Sequence, residues 1–314
     1  MVRPKTAVKR LILKQFQHVI EGLVNKLGLI NNDMKLYKTK RGNLLQVEAG
    51  FYLIDQDWDE LINRDGLYAY LSEQRHSATA IAETDARSRL EGGLLPPIGN
   101  QEVWAAGVTY FRSMEARMEE AKDSGGADLY DRVYHAERPE LFFKALPHRV
   151  AGHGQAVSIR KDSAWDVPEP ELTLFINSSG SIEGYTVGND MSSRSIEGEN
   201  ALYLPQAKVY DRSAALGPCL YVPVSPIDRE TEIAMEIFRN GQVMYQDSVK
   251  ISRIKRPLEE LAGYLYRECR FAHGCFLMTG TCLVPPSEFT LHVGDRVDIS
   301  ISGIGMLSNT VAYN

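Results

Sequence analysis

The chain has 314 residues, 44% of them hydrophobic and 24% charged, enough apolar side chain for a sizeable core in one large domain or two. Its net charge of −6, with no basic stripe in the main body, argues against a nucleic-acid partner, and no apolar run approaches the roughly 20 residues that span a bilayer. Cys219, Cys269, Cys275 and Cys282 show neither the spacing of a zinc ribbon nor a dense disulfide pattern, so a reducing cytoplasm is the expected home.

The first 33 residues stand apart. Arg3, Lys5, Lys9, Arg10, Lys14 and Lys26 outnumber Glu21 and Asp33, while Leu11, Ile12, Phe16, Val19, Ile20, Leu23, Val24 and Leu27 fall at helical spacing, a basic amphipathic extension. No uninterrupted apolar core with a small-residue cleavage site follows the charges, which excludes a signal peptide, and the segment is poor in Ser for a mitochondrial presequence. An upstream start is favoured, because Met34-Lys-Leu-Tyr37 opens a strand by itself.

Residues 34–97 alternate strand-like runs, Leu44–Val47 and Gly50–Ile54, with a helix expected from Trp58 to Leu71. The cluster Gly92-Gly-Leu-Leu-Pro-Pro97 marks a boundary, giving a small N-terminal domain at 34–97 and a main domain at 98–314. After it, Glu102–Thr109 reads as a buried strand and Phe111–Lys122 as a helix of strong formers. Beyond Ala145 the runs at 156–160, 171–176, 182–187, 219–224, 232–238, 242–246, 289–293, 296–301 and 304–311 read as strands between Gly, Pro, Asn and Asp turns. One helix interrupts them, with Pro257 in its first turn and Leu258, Leu261 and Leu265 on one face. The expected class is a β-rich α+β fold with long connections, which is where functional side chains concentrate.

Chemistry gathers on three of these segments. Glu169 and Glu171 stand two residues apart, and on an extended strand i and i+2 point to the same face, so both can reach one ion. A turn at Ser178-Ser-Gly180 would fold the next strand back and return Asp190 to the same neighbourhood. Three hard oxygen donors without nearby Cys or His favour Mg²⁺, with Mn²⁺ or Ca²⁺ as alternatives, over Zn²⁺. Glu171 opens the apolar run Leu172–Ile176, and carboxylates adjoining buried strands need a compensating cation. Lys208, in Gln206-Ala-Lys208, is a cation placed to wait beside them.

These residues sit in words that resemble the signature blocks of the fumarylacetoacetate hydrolase superfamily. The words are Val167-Pro-Glu-Pro-Glu-Leu172, Gly184-Tyr-Thr-Val-Gly-Asn-Asp-Met-Ser-Ser-Arg194, Gln206-Ala-Lys208 with Leu216-Gly-Pro218, Thr279-Gly-Thr281, and Gly294-Asp295 leading to Ile301–Asn309, in family order from about residue 100. Within the superfamily, Tyr134–Lys144 and Ile196–Lys208 resemble the branch of 2-keto-3-deoxy-D-arabinonate or xylonate dehydratases. The resemblance implies a mixed β-sandwich roll with a small N-terminal α/β domain, assembled as a homodimer or homotetramer. It also implies that Glu169, Glu171 and Asp190 bind the metal, that Lys208 takes the active-site lysine position, and that the substrate is a small 2-keto acid.

One departure separates the branches. Hydrolases and decarboxylases of the superfamily carry a water-activating His and Glu on a short helix after a Gly-x-x-Tyr word; here Gly107-Val-Thr-Tyr110 is followed by Phe111, Arg112, Ser113 and Met114, with Ser113 where the His would fall. A serine of ordinary pKa is no base at neutral pH, and Glu115 is displaced. Dehydration, which expels water, has no need of that dyad. A dehydratase needs a base at C3 and an acid at the C4 hydroxyl, for which Lys208 and Glu140 are the candidates. Arg112, Ser113, Arg194 and Thr281 are expected to bind substrate; His135, His148, His153, His273 and His292 show no ligand spacing. An acylpyruvate hydrolase, a 2-keto-diacid isomerase or decarboxylase, and a catalytically silent metal-binding protein are the alternatives.

Overall fold

The computed structural model describes residues 33–120 and 127–314. Alternating apolar residues make strands that must each bury a face. In chain order they are β1 (Met34–Thr39), β2 (Gly42–Val47), β3 (Gly50–Ile54), β4 (Thr79–Ile81), β5 (Glu102–Gly107), β6 (Glu140–Ala145), β7 (Val150–Ala151), β8 (Ala156–Ile159), β9 (Asp166–Val167), β10 (Pro170–Ile176), β11 (Ile182–Asp190), β12 (Ser192–Ser193), β13 (Ala214–Val222), β14 (Glu232–Arg239), β15 (Gln242–Lys250), β16 (Cys275–Met278), β17 (Arg296–Ile301) and β18 (Gly305–Tyr313). Ten run β4-β3-β2-β1-β13-β11-β10-β16-β5-β6 in one sheet, with β7 beside β13 as its eleventh strand. Five form a second sheet, β15-β14-β17-β18-β8, and β9 pairs with β12. Both sheets are mixed, since β16–β5, β13–β7 and β18–β8 are parallel pairs among antiparallel ones.

The period-2 alternation of β10 decides which side of the large sheet does what. Leu172, Leu174 and Ile176, with Val187 and Cys219, meet Met235, Ile237, Val297, Ile299 and Leu307 of the second sheet in a shared core. Phe175, Phe276, Leu216 and Leu220 face the other way and pack on Leu36, Leu45, Trp58, Leu61, Leu67 and Leu71. Each such side chain contributes about 1.5–3 kcal/mol on burial. Glu171 falls on this second face, in phase with Phe175. The fold is therefore the strand-rich α+β sandwich expected.

Two local expectations change. The helix expected over 58–71 is two, Trp58–Ile62 and Leu67–Gln74, because Gly66 between them is left-handed at φ +69°. The Glu183 carboxylate of β11 accepts the Gly66 and Leu67 backbone N–H groups at 3.0 and 2.8 Å, restarting the chain as a capped helix. The run 289–293 is not a strand: the Phe289 N–H turns back to the Pro286 carbonyl and the Leu291 N–H donates to the Asp166 carbonyl, so its backbone groups are satisfied outside any sheet.

Residues 33–314 make one compact unit, in which β1 pairs with β13 through Met34–Val222, Lys35–Tyr221 and Leu36–Leu220. The basic extension expected at 1–33 lies outside the described residues except for Asp33, whose carboxylate accepts from the Tyr221 hydroxyl and the Val224 N–H. A chain beginning at Asp33 is expected to melt within about 2 °C of the full chain and to keep its activity. Loss of either in calorimetry or assay would show residues 1–32 to be integral.

Candidate active site

The register of one hairpin builds the acidic cluster. The Asp190 N–H donates to the Glu169 carbonyl at 2.9 Å, and Glu171 lies opposite Gly188, so Asp190 stands across from Glu169 with Glu171 two residues along the same face. One oxygen from each of the three carboxylates lies within 4.8 Å of the others, and the residues are 3%, 2% and 1% exposed for Glu169, Glu171 and Asp190. The backbone N–H of Gly280 fixes Glu171 by donating to Oε2 at 2.6 Å. Only glycine serves there: φ is +94°, and a Cβ would sit 2.1 Å from Thr109 Oγ1.

Three buried cations answer the three carboxylates. Lys208, last residue of the short helix Leu204–Lys208, donates from Nζ to Glu169 Oε2 at 2.5 Å and Asp190 Oδ2 at 3.2 Å. Arg194 Nη2 donates to Glu169 Oε1 at 2.6 Å. Lys144 on β6 pairs with Asp190 Oδ1 and donates to the Met191 and Lys208 carbonyls. Burial alone would raise the Glu169 pKa, but Lys208, Arg194 and Arg117 outweigh it and hold the carboxyl below its ordinary range. Among the described residues no such cation contacts Glu171, and burial, then the charges of Asp190 and Glu169, push it well above the ordinary value. Burial lowers the Lys144 ammonium to about 8 against the opposing pull of Asp190.

This donor set fits Mg²⁺. All three groups are hard oxygens, and like-charge repulsion at Glu171 is the strain a dication relieves. Counted as ionised, Glu169, Glu171 and Asp190 balance Lys144, Lys208 and Arg194. A bound dication then leaves an excess of two positive charges, which suits a substrate that enters as an anion and gains a second charge as an enolate.

Around the carboxylates, β6 sends alternate residues inward. Glu140 packs over Gly107, its register partner on β5, so closely that a Cβ there would lie 1.9 Å from Glu140 Oε2; that oxygen is buried without a hydrogen-bond partner. Phe142 follows, with Lys208 Nζ 5.9 Å above its ring, and then Lys144. From the helix Phe111–Glu120, Ser113 and Arg117 line the cleft together with Arg194 and Thr281. Ser113 Oγ donates to the Tyr110 carbonyl at 2.7 Å, whereas Thr281 Oγ1 is buried without a partner. Arg112 lies elsewhere: it is half exposed and faces Glu115 at 3.8 Å. The guanidinium this helix turns inward is Arg117, ion-paired with Glu197, which also accepts from Ser192 Oγ at 3.0 Å. Lys144, Arg117 and Glu197 are the site residues that sequence reasoning missed. Lys144 had a signal, being a charge two strand periods from Glu140 in the apolar run Leu141-Phe-Phe-Lys144.

With this geometry in hand, comparison with known proteins gives a family. Residues 103–312 match the fumarylacetoacetate (FAA) hydrolase C-terminal family. The chain belongs to that family. A probable 2-keto-3-deoxyxylonate dehydratase of Haloferax volcanii is 52% identical over 216 residues, 68% of this chain and 73% of the relative. The 2-dehydro-3-deoxy-D-arabinonate dehydratase of Saccharolobus solfataricus is 42% identical over 218 residues, again 68% and 73%. Among solved structures, a 2-keto-3-deoxy-D-arabinonate dehydratase complexed with magnesium and 2,5-dioxopentanoate superimposes with a TM-score of 0.76 at 32% identity, covering 90% of this chain and 99% of the other. The family fold thus extends over the strands at the N-terminal end as well as the matched segment.

Proposed function

We propose that this protein is a Mg²⁺-dependent hydro-lyase that converts a 2-keto-3-deoxypentonate to 2,5-dioxopentanoate. The observation that carries the reading is the unpartnered Glu140 Oε2, held over Gly107, which lines the cleft together with the carboxylate triad. The names of the two relatives converge chemically. Arabinonate and xylonate of one series differ only at C2 and C3, and oxidation of the first with deoxygenation of the second leaves a single compound with one stereocentre, C4.

Glu169, Glu171 and Asp190 would hold Mg²⁺, which when bound supplies Lewis-acid polarisation of the keto group. Glu140 is the acceptor for the C3 proton, since its buried oxygen has no competing donor. Lys208 and Arg194 supply positive charge where the enolate develops. The C4 hydroxyl then leaves as water with the proton that Glu140 took from C3, giving a 3,4-unsaturated keto acid and restoring the Glu140 carboxylate. Removal of its C5 proton and protonation at C3 give the enol of the C5 aldehyde, which tautomerises to product. Thr281 Oγ1 is a free hydrogen-bonding group for the substrate. Among the described side chains of the helix after Tyr110 no base competes: Ser113 is bonded to Tyr110, and the Glu115 side chain is 44% exposed. The cavity among the lining residues has a volume of about 10 Å³, room for about one water. A five-carbon acid therefore needs more room than these lining residues leave between them.

A cytoplasmic homodimer or homotetramer completes the proposal. The outer strand of the second sheet, β15, exposes Val243 and Met244, the kind of unprotected edge that a second copy covers. Purified protein given 2-keto-3-deoxy-D-arabinonate and Mg²⁺ is expected to form 2,5-dioxopentanoate, followed by NMR. Release of pyruvate or CO₂ instead would favour the C–C cleaving alternatives of the family.

A further inference from the structure

We propose that Lys144 positions Lys208 for the reaction, an assignment that rests on the hydro-lyase reading above. An ammonium has three N–H donors and no acceptor. Those of Lys144 meet three acceptors: the Asp190 carboxylate, the Met191 carbonyl at 2.9 Å and the Lys208 carbonyl at 2.5 Å. With every donor taken and the side chain 0% exposed, Lys144 has nothing left to offer a substrate. It is a positioning residue and not a catalytic one.

What it positions follows from where its partners lie. The Lys208 carbonyl ends the helix Leu204–Lys208, and carbonyls at a helix end lack intrahelical partners. Lys144 satisfies this one and so fixes the backbone from which the Lys208 side chain reaches Glu169 and Asp190. At Asp190 the two lysines take different oxygens, Lys208 on Oδ2 and Lys144 on Oδ1, which sets the plane of the carboxylate. The Met191 carbonyl, one residue on, fixes the end of β11. Since Lys144 sits on β6 with Glu140, one ammonium ties the strand of the proposed base to the helix of Lys208 and the strand of a proposed metal ligand. A buried ion pair can often be replaced by packed apolar residues without loss of stability, so stability alone does not account for a lysine here.

The test is a double-mutant cycle on full-length protein. Lys144→Met is expected to lower kcat about a hundredfold, the cost of misplacing a reacting group by an ångström or so, with KM within about threefold because no substrate contact is lost. Calorimetry with MgCl₂ is expected to show affinity not weakened, since a cation next to Asp190 is removed. The Lys144→Met, Lys208→Met double variant should be no slower than Lys208→Met alone, because Lys144 acts through Lys208. Additive losses, or a kcat unchanged in Lys144→Met, would overturn the proposal. If Lys144→Met does not fold, Lys144→Gln enters the same cycle, and failure of both to fold assigns Lys144 to structure instead. A wild-type protein that forms no 2,5-dioxopentanoate defeats the hydro-lyase reading separately; the cycle is then read from deuterium exchange at C3 of pyruvate.

Discussion

Replacing Glu171 with Gln is expected to reduce turnover by about a thousandfold or more while the fold survives. Among the described residues Glu171 is the carboxylate with no buried cation in contact, and burial with the charges of Asp190 and Glu169 pushes its pKa up. A neutral isostere removes that repulsion, and its amide oxygen still accepts the Gly280 N–H that now meets Oε2. In magnesium-free buffer the melting temperature of Glu171→Gln is therefore expected to hold or rise. The metal loses one of three anionic ligands, so its affinity should fall by at least the roughly 10- to 100-fold that loss of a supporting partner costs a site. Stability and binding thus move in opposite directions, which distinguishes a ligand from a merely structural carboxylate. Unchanged Mg²⁺ affinity by calorimetry would remove Glu171 from the metal set.

The parts of this site that could be read in the sequence are those fixed by short-range geometry. Glu169 and Glu171 share a face because the strand period is 2, and Asp190 follows through a hairpin whose turn, at Ser178–Gly180, is itself written in turn residues. The parts that could not are contacts between distant elements. Lys144 is 47 residues from Met191 and 64 from Lys208, and no local pattern says that they meet. The helix after Tyr110 is an intermediate case. Ser113 was placed from its position in the family word, and the residue one turn further on the same face is Arg117, not Arg112. Helical spacing alone would have exchanged the two arginines, although nothing local points to Glu197 as the partner. The segment 289–293 misled for the opposite reason. Its apolar alternation is strand-like, but Leu291 N–H is spent on Asp166 and the Thr290 carbonyl accepts from Arg239, so tertiary demands override propensity.

Glu140→Gln and Lys208→Met are expected to separate the base from the fixed charge. Glu140 offers a buried oxygen without a donor, whereas the Lys208 ammonium is engaged by two carboxylates. That contrast makes Glu140 the base and Lys208 the fixed charge. Glu140→Gln should therefore lower kcat by on the order of a thousand- to ten-thousandfold, and exchange of the C3 protons of pyruvate with deuterated water should fall with it, since the amide cannot accept the proton. Lys208→Met should lower kcat by roughly a hundredfold, because its charge is realised chiefly as the enolate forms. Mg²⁺ affinity should survive both, and the Lys208 variant in particular leaves Glu169 and Asp190 with one cation fewer beside them, a change that favours the metal. If Glu140→Gln kept exchanging C3 protons, the base would have to be Lys208, and the two contacts that now hold its ammonium would have to break when substrate binds. If Lys208→Met kept both turnover and exchange, the enolate charge would fall to Arg194 and the metal alone, and Lys208 would be reduced to balancing Glu169.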